Sequence, residues 1–297
     1  MIKIIAAKNI GFCFGVKRAI LIAKLSLKEK VRPVQFLGSL VHNENVVKKF
    51  LEKGIIFKKK IKEIKPGVLI IQAHGFPPLP NNFSNKILIK DATCPLVKKV
   101  QMLANSLWKQ GYQMIIIGDK DHSEVKGIKG YAKNKAVIVE NKKEAEKLPE
   151  FKKVAVVAQT TQDLNNVNEI LKVLKRKYKK IKYFKTLCPE VQVRQKEAKS
   201  IVKKVNKILV IGSKISANTE RLYQISKSSG KPVWWVNSLK ELKKKKINNS
   251  LTELPSREAK VKKRTGSSSP VFGVLSGTSA DNSEIEKIKK YLKRRRG

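Results

Sequence analysis

The sequence predicts an α/β protein of three similar units with largely parallel sheets, and three observations carry that reading. Short β-branched runs alternate with amphipathic helical stretches along all 297 residues. The three cysteines, Cys13, Cys94 and Cys188, recur at gaps of 81 and 94 residues, each after a strand-like run and before a helix-like one. Their surroundings echo each other. Cys13-Phe14-Gly15-Val16, Cys94-Pro95-Leu96-Val97 and Cys188-Pro189-Glu190-Val191 all place valine three residues after sulfur, and Gln101 and Gln195 stand seven residues after the second and third cysteines.

The first unit, residues 1–93, takes its strands from Ile2–Ala6, Val34–Leu37, Val68–Gln72 and Ile87–Ile89, with helices over Val16–Glu29 and Glu44–Lys53. The second, 94–187, has strands over Tyr112–Ile117, Ala136–Val139 and Val154–Ala158 between helices over Leu96–Lys109 and Leu164–Tyr178. The third, 188–297, has strands over Ile208–Ile211, Val233–Val236 and Val271–Leu275, a helix over Asn218–Ser228 and a basic C-terminal helix. Gly54, Gly111 and Gly230 fall where helix C-caps are needed. Residues 243–270, rich in lysine and closing on Gly266-Ser267-Ser268-Ser269-Pro270, read as an exposed loop. The units repeat about a pseudo-threefold axis, and ligands of such sheets bind beyond the carboxyl ends of the strands. The cysteines lie at such ends.

Composition bounds the function. The net charge is +43, from 66 Lys and Arg against 23 Asp and Glu. Lysines that neutralise phosphates release counterions, so weak incidental nucleic-acid binding is expected. No aromatic-interleaved RNA signature or zinc finger accompanies the charge, so specific nucleic-acid recognition is not. No apolar run approaches the roughly 18 residues of a membrane span, and Lys3, Lys8 and Asn9 interrupt the N-terminal stretch as they would not in a signal peptide. The expectation is a cytoplasmic protein with no membrane partner, in a compartment where cysteines serve metals or catalysis rather than disulfides.

A single cysteine is ordinarily a small buried hydrophobe, but three in matching contexts are not explained that way. A helix N-terminus favours the thiolate, the form that binds metal. Zinc sites use paired ligands such as CxxC, which are missing here. Three thiolates without a fourth suit an iron–sulfur cluster with one iron left open. His42, His74 and His122 each follow a predicted strand and suit anion binding or proton relay. Glu124, two residues after His122, is a proton donor if burial raises its pKa. The turns Gln159-Thr160-Thr161, Ser213 to Asn218 and Ser276-Gly277-Thr278-Ser279 offer hydroxyls and amides at helix starts, which suit a phosphate-bearing small molecule.

Taken together, Gly11-Phe12-Cys13-Phe14-Gly15-Val16-Lys17-Arg18-Ala19, Val41-His42-Asn43, Ala73-His74-Gly75 and Asp91-Ala92-Thr93-Cys94-Pro95-Leu96-Val97 resemble the 4-hydroxy-3-methylbut-2-enyl diphosphate reductase family. So do His122-Ser123-Glu124-Val125, Gln159-Thr160-Thr161, Arg194-Gln195, Gly212-Ser213-Lys214 and Arg221-Leu222, in collinear order to about Ser279. The resemblance implies a trefoil of three α/β units around a [4Fe–4S] cluster, held by Cys13, Cys94 and Cys188 with one open iron. It implies that His42, His74, His122, Ser216, Ala217 (through its backbone N–H), Asn218 and Ser279 bind the diphosphate, while Thr160, Glu124 and His122 serve the substrate hydroxyl and its proton. The implied reaction takes two electrons and two protons and expels water from the allylic alcohol, giving isopentenyl and dimethylallyl diphosphate in the non-mevalonate pathway. Ferredoxin or flavodoxin is the implied electron donor. Ala217 stands where the family carries a second serine, and Pro189-Glu190-Val191 where it carries an alanine–threonine pair. The alternatives weighed against this reading are a nucleic-acid-binding protein on a repurposed reductase scaffold and a zinc hydrolase built on the histidines.

Overall fold

The computed structural model describes residues 3–80, 83, 86–244 and 271–294. Its strands are β1 (Lys3–Ala6), β2 (Val34–Leu37), β3 (Ile56–Lys58), β4 (Gly67–Ile71), β5 (Ile87–Asp91), β6 (Gln113–Ile117), β7 (Val137–Val139), β8 (Val154–Ala158), β9 (Ile181–Tyr183), β10 (Lys207–Ile211), β11 (Val233–Val236) and β12 (Val271–Ser276). Its helices are α1 (Phe14–Ser26), α2 (Glu44–Leu51), α3 (Pro95–Lys109), α4 (Ser123–Tyr131), α5 (Lys142–Glu146), α6 (Leu164–Lys177), α7 (Pro189–Lys204), α8 (Ala217–Lys227), α9 (Leu239–Lys244) and α10 (Asn282–Arg294).

These elements form two compact units, 14–189 and 1–13 with 190–297. The larger unit holds two four-stranded parallel sheets, ordered β3-β2-β4-β5 and β7-β6-β8-β9. The smaller holds one, ordered β11-β10-β12-β1, also parallel. The same spatial order of strands recurs three times, which bears out the α/β class and the threefold repeat. Gly54, Gly111 and Gly230 carry φ of +88°, +76° and +71° after α2, α3 and α8, the left-handed turn that ends a helix with least strain in glycine.

One strand is corrected. The sequence placed Ile2–Ala6 with the first unit, but β1 pairs with β12, Lys3 opposite Val271 through Ala6 opposite Val274. The repeat itself supplies the reason. β5 and β9 are the fourth strands of their sheets and lead into Cys94 and Cys188, and β1 is the fourth strand of its sheet and leads into Cys13. Each sheet therefore ends at a cysteine, and the N-terminal strand completes a sheet whose other strands lie near the C-terminus. The edge strands β3 and β9, three residues each and carrying Lys58 and Lys182, were absent from the sequence reading because neither is a clear aliphatic run. Of the lysine-rich segment 243–270, Lys243 and Lys244 close helix α9, and the rest lies outside the described residues. The expected basic C-terminal helix is α10, with Lys293 and Arg294 in its last turn.

Both faces of each central strand are buried, as continuous aliphatic runs require. In the larger unit Ile115, Ile117, Val156 and Ala158 pack on Val167, Ile170 and Leu174 of α6, while Met114, Ile116, Ala155 and Val157 pack on Val100, Ala104 and Leu107 of α3. In the smaller, Leu209, Ile211 and Val274 face Ile285, Ile288 and Leu292 of α10, and Ile208 and Val210 face Ala198, Ile201 and Val202 of α7. Rigid sheets packed on both faces leave the strand-end turns as the places where polar groups are displayed.

Candidate active site

In every sheet the two central strands, β2 and β4, β6 and β8, β10 and β12, are the pair at which the connections reverse direction. Such switch points open a crevice beyond the strand ends. The sequence-predicted polar residues follow these six strands: His42 and His74, His122 and Thr160, Ser216 and Ser279.

In the larger unit the three histidines gather. The rings of His42 and His74 stack with centroids 3.6 Å apart, and His122 meets them edge-on at 4.9 and 5.8 Å. Ser123 Oγ lies 3.3 Å from His42 Nε2. His122 caps α4, its Nδ1 accepting from the Glu124 amide at 3.2 Å, which leaves the neutral ring's proton on Nε2. Burial, and then the neighbouring His122, pushes the His42 pKa down to about 3. Burial, then His42 and His122, holds His74 well below the usual histidine range. The His74 Nδ1 is buried without a protein partner. His42 and His74, stacked and held below the usual histidine range against the edge of His122, form a place where a proton gained beside a negative charge would be stabilised by it.

In the first turn of α4, two residues after His122, Glu124 is 1% exposed. Its Oε1 accepts from the Thr160 amide at 2.6 Å and its Oε2 from the Thr160 hydroxyl at 2.9 Å. Burial raises its pKa to about 7, against the lowering effect of the two Thr160 bonds, and the Asp119 charge adds to the rise. A carboxyl group titrating near neutrality beside a hydroxyl is the composition of a general acid. Gln159 fixes the turn, its Oε1 accepting from the Asp119 amide at 2.9 Å and its Nε2 donating to Thr161 Oγ1 at 2.8 Å.

In the smaller unit Ser216 caps α8, its Oγ accepting from the Thr219 amide at 3.3 Å. Asn218 is 1% exposed, and both its Nδ2 and its Oδ1 are buried without a protein partner. A buried amide left unpaired costs about 1–3 kcal/mol, and this one stands at the N-terminus of α8, where an anion could be held. Gly212 and Gly277 close on Thr219: a Cβ on either would sit 2.6 or 1.9 Å from its Oγ1. Ala217 lies at the first helical position, where its backbone N–H belongs to the set that a helix start leaves unpaired within the helix. Ser279 is buried in the turn after β12, the strand beside β10.

The cysteines form no disulfide, and each is partly exposed at the mouth of a helix: Cys13 before α1, Cys94 capping α3, Cys188 before α7. Their amides are tied alike, Cys13 to Thr278 O, Cys94 to Ala73 O and Cys188 to Thr160 O, each at 2.9 Å. Each cysteine is thus hydrogen-bonded to a turn that carries a predicted substrate residue: Ser279, His74 or Thr160 itself. Among the described residues, no three His, Cys, Asp or Glu side chains gather where one metal ion could hold them. That grouping does not suit the zinc-hydrolase alternative. A multi-iron cluster makes no such demand, because each thiolate takes a different iron. Three thiols at helix N-termini are a donor set that fits it.

The model of the family described as LytB protein matches residues 4–293. The chain belongs to the LytB family, the 4-hydroxy-3-methylbut-2-enyl diphosphate reductases. Among curated members, that of Dictyoglomus turgidum is 38% identical over 98% of this chain and 96% of its own length. That of Geobacter metallireducens is 40% identical over 75% of this chain and 79% of its own length. The solved reductase from Plasmodium falciparum superposes with a TM-score of 0.86 at 29% identity, covering 98% of this chain and 88% of that one. A second solved structure, described as the terminal enzyme of the non-mevalonate pathway, matches with a TM-score of 0.67 at 31% identity over 99% of this chain and 100% of its own. The LytB family is one of iron–sulfur enzymes. Nothing in these comparisons supports the nucleic-acid alternative, and no described helix is long and apolar enough to cross a membrane.

Sequence reasoning passed over the residues that brace these turns. Ser123 beside His42 and the arginines Arg18 and Arg194, which hold backbone carbonyls near the cysteines, were quoted only as parts of motifs. Their spacing from the cysteines, five and six residues, was the available signal.

Proposed function

We propose that the chain reduces 4-hydroxy-3-methylbut-2-enyl diphosphate, removing its allylic hydroxyl as water with two electrons and two protons to give isopentenyl and dimethylallyl diphosphate. The observation that carries the proton chemistry is the buried Glu124–Thr160 pair. Cys13, Cys94 and Cys188 would hold a [4Fe–4S] cluster, which when bound supplies the electrons and, at an iron without a protein ligand, a Lewis acid.

The chain's own residues do the rest. Protonated Glu124 donates from Oε2 to Thr160 Oγ1, and the threonine O–H turns to the departing oxygen, so one proton moves along a 2.9 Å hydrogen bond. The Thr160 amide holds Oε1 and fixes the carboxyl plane throughout. His122, whose Nδ1 is committed to the Glu124 amide, presents Nε2–H. In the larger unit His42, His74 and His122 are assigned to the diphosphate, and burial keeps His42 and His74 neutral until its charge arrives. In the smaller unit Ser216, the Ala217 amide, Asn218 and Ser279 are assigned to the same group; the orphaned Asn218 amide supplies one donor and one acceptor. Where the family carries a second serine, Ala217 offers an amide only.

The donor is an acidic carrier such as ferredoxin or flavodoxin. A protein of net charge +43 attracts both such a carrier and a diphosphate by steering that salt screens. Turnover with an acidic carrier should slow as ionic strength rises, and a rate indifferent to salt would remove the steering argument. Anaerobic purification tests the whole reading: about four irons and four sulfides per chain, with turnover under reducing mediators, is the expected result. Stoichiometric zinc without iron overturns it.

A further inference from the structure

Two arginines are placed in the sequence by the cysteines yet take no part in the chemistry above. Arg194, six residues after Cys188, is 3% exposed. Its Nη1 donates to Ser276 O at 3.1 Å and Gly277 O at 3.3 Å, and its Nη2 to Gly11 O at 2.9 Å and to Glu190 Oε1 at 2.7 Å. Gly11 is two residues before Cys13, and Ser276 and Gly277 open the turn that ends at Ser279. The same two segments meet twice more: the Gly11 amide donates to Ser276 Oγ at 2.8 Å and the Cys13 amide to Thr278 O at 2.9 Å. Arg18, five residues after Cys13, repeats the device elsewhere. Its Nη1 donates to Thr93 O and its Nη2 to Asp91 O, both at 3.1 Å, in the loop that ends at Cys94.

A guanidinium suits this work. Its rigid fork serves several carbonyls in one plane, and its charge makes each bond stronger than a neutral one, whereas an ammonium is a point donor on a flexible stem. Burying the cation demands compensation, which three carbonyls and the Glu190 carboxylate supply.

We propose that Arg194 is a positioning residue that locks the Cys13 loop to the Ser276–Ser279 turn, and that Arg18 braces the Cys94 loop alone. Arg194 thereby couples the setting of a cluster-ligating sulfur to that of a diphosphate-binding turn, while the carbonyls that Arg18 holds belong to the Cys94 loop alone. What the two loops hold rests on the reductase reading; that the arginines tie them does not.

The test compares the full-length chain with R194K and R18K. Hydrogen–deuterium exchange without substrate reads the lock directly. R194K should speed exchange about tenfold in peptides spanning 9–14 and 276–281, and leave those spanning 154–160 unchanged. R18K should speed exchange only around 91–95. In the iron-loaded protein R194K should raise KM for the diphosphate substrate about tenfold and alter the paramagnetic resonance signal of the reduced cluster, whereas R18K should alter the signal at unchanged KM. Unchanged exchange at both segments in R194K, or equal KM rises in the two variants, overturns the proposal. If R194K does not fold, E190A removes the carboxylate that holds Arg194 Nη2, and unaltered exchange over both 9–14 and 276–281 in that variant overturns the proposal equally. Wild-type protein without iron or turnover would sink the reductase reading and leave the exchange result standing.

Discussion

Glu124 and Asn218 are equally buried, at 1% exposed, and are opposite in every other respect. Both Glu124 oxygens accept hydrogen bonds from Thr160, while neither polar atom of the Asn218 amide has a protein partner. The first group is finished by the protein: burial raises its pKa, and its partners fix its direction. The second is finished only by something brought to it. On the proposed function the first group serves the proton and the second the diphosphate, and a group bound at Asn218 would return its desolvation cost.

The largest expected effect breaks the first half of the contrast. E124Q keeps the shape and removes the titrating proton. Turnover should fall by about 10²–10⁴-fold, the range of general acid catalysis, with iron content unchanged in anaerobically purified protein. A loss below tenfold would take Glu124 out of the proton path.

N218L addresses the other half. An isosteric apolar side chain removes both orphaned atoms, so KM for the diphosphate substrate should rise about ten- to a hundredfold. The substrate-free protein should melt no lower than wild type and can melt higher, the trade expected where a site is kept unsatisfied for function. Lower stability together with unchanged KM would make Asn218 structural.

How much of this was legible in the sequence follows the same division. The cysteines, histidines and hydroxyl turns were legible because each stands at a strand end, and continuous aliphatic runs such as Val154–Ala158 mark strand ends well. The α/β class and the repeat came from the same signal. The home of β1 did not, because pairing between Lys3 and Val271 spans nearly the whole chain and leaves no local trace. Nor could spacing distinguish a satisfied Glu124 from an unsatisfied Asn218. Both are polar residues in the first turn of a helix, and only the packed environment decides which has partners.

T160V sharpens the contrast by removing one of Glu124's partners. A general acid must hold its proton, so the wild-type rate should fall as pH rises through about 7, the value to which burial brings the carboxyl. The Thr160 hydroxyl bond favours the carboxylate and so lowers that value. Losing it should move the alkaline limb to higher pH, read from the limb's position because the relay's loss also lowers its height. A limb that stays in place, or moves to lower pH, would detach the hydroxyl from the titration.

The smallest effect is thermodynamic and reads Glu124 with no catalysis at all. Its folded pKa, about 7, lies above the ordinary 4.5 of an unfolded glutamate. Between those values the folded chain binds more protons at this site than the unfolded one, so its contribution is fully present below about 4.5 and is lost as pH rises through 7. His42 runs the other way: its folded pKa of about 3 lies below the ordinary 6.5, so its contribution is present above 6.5 and is lost as pH falls toward 3. His74, lowered in the same direction, adds to that acid-side loss. Wild-type stability is thus eroded from both sides, and melting curves of the wild type alone would not separate the terms. E124Q does so, because it deletes the glutamate term and leaves both histidines. The difference in melting temperature, variant minus wild type, should be flat below pH 4.5, rise in favour of the variant up to pH 7, and then level off. The total gain is on the order of 3 kcal/mol, or a few degrees for a chain of this size. A difference that does not change with pH would mean that the Glu124 carboxyl ionises in the fold as it does in water, and the contrast with Asn218 would then lose its chemical half.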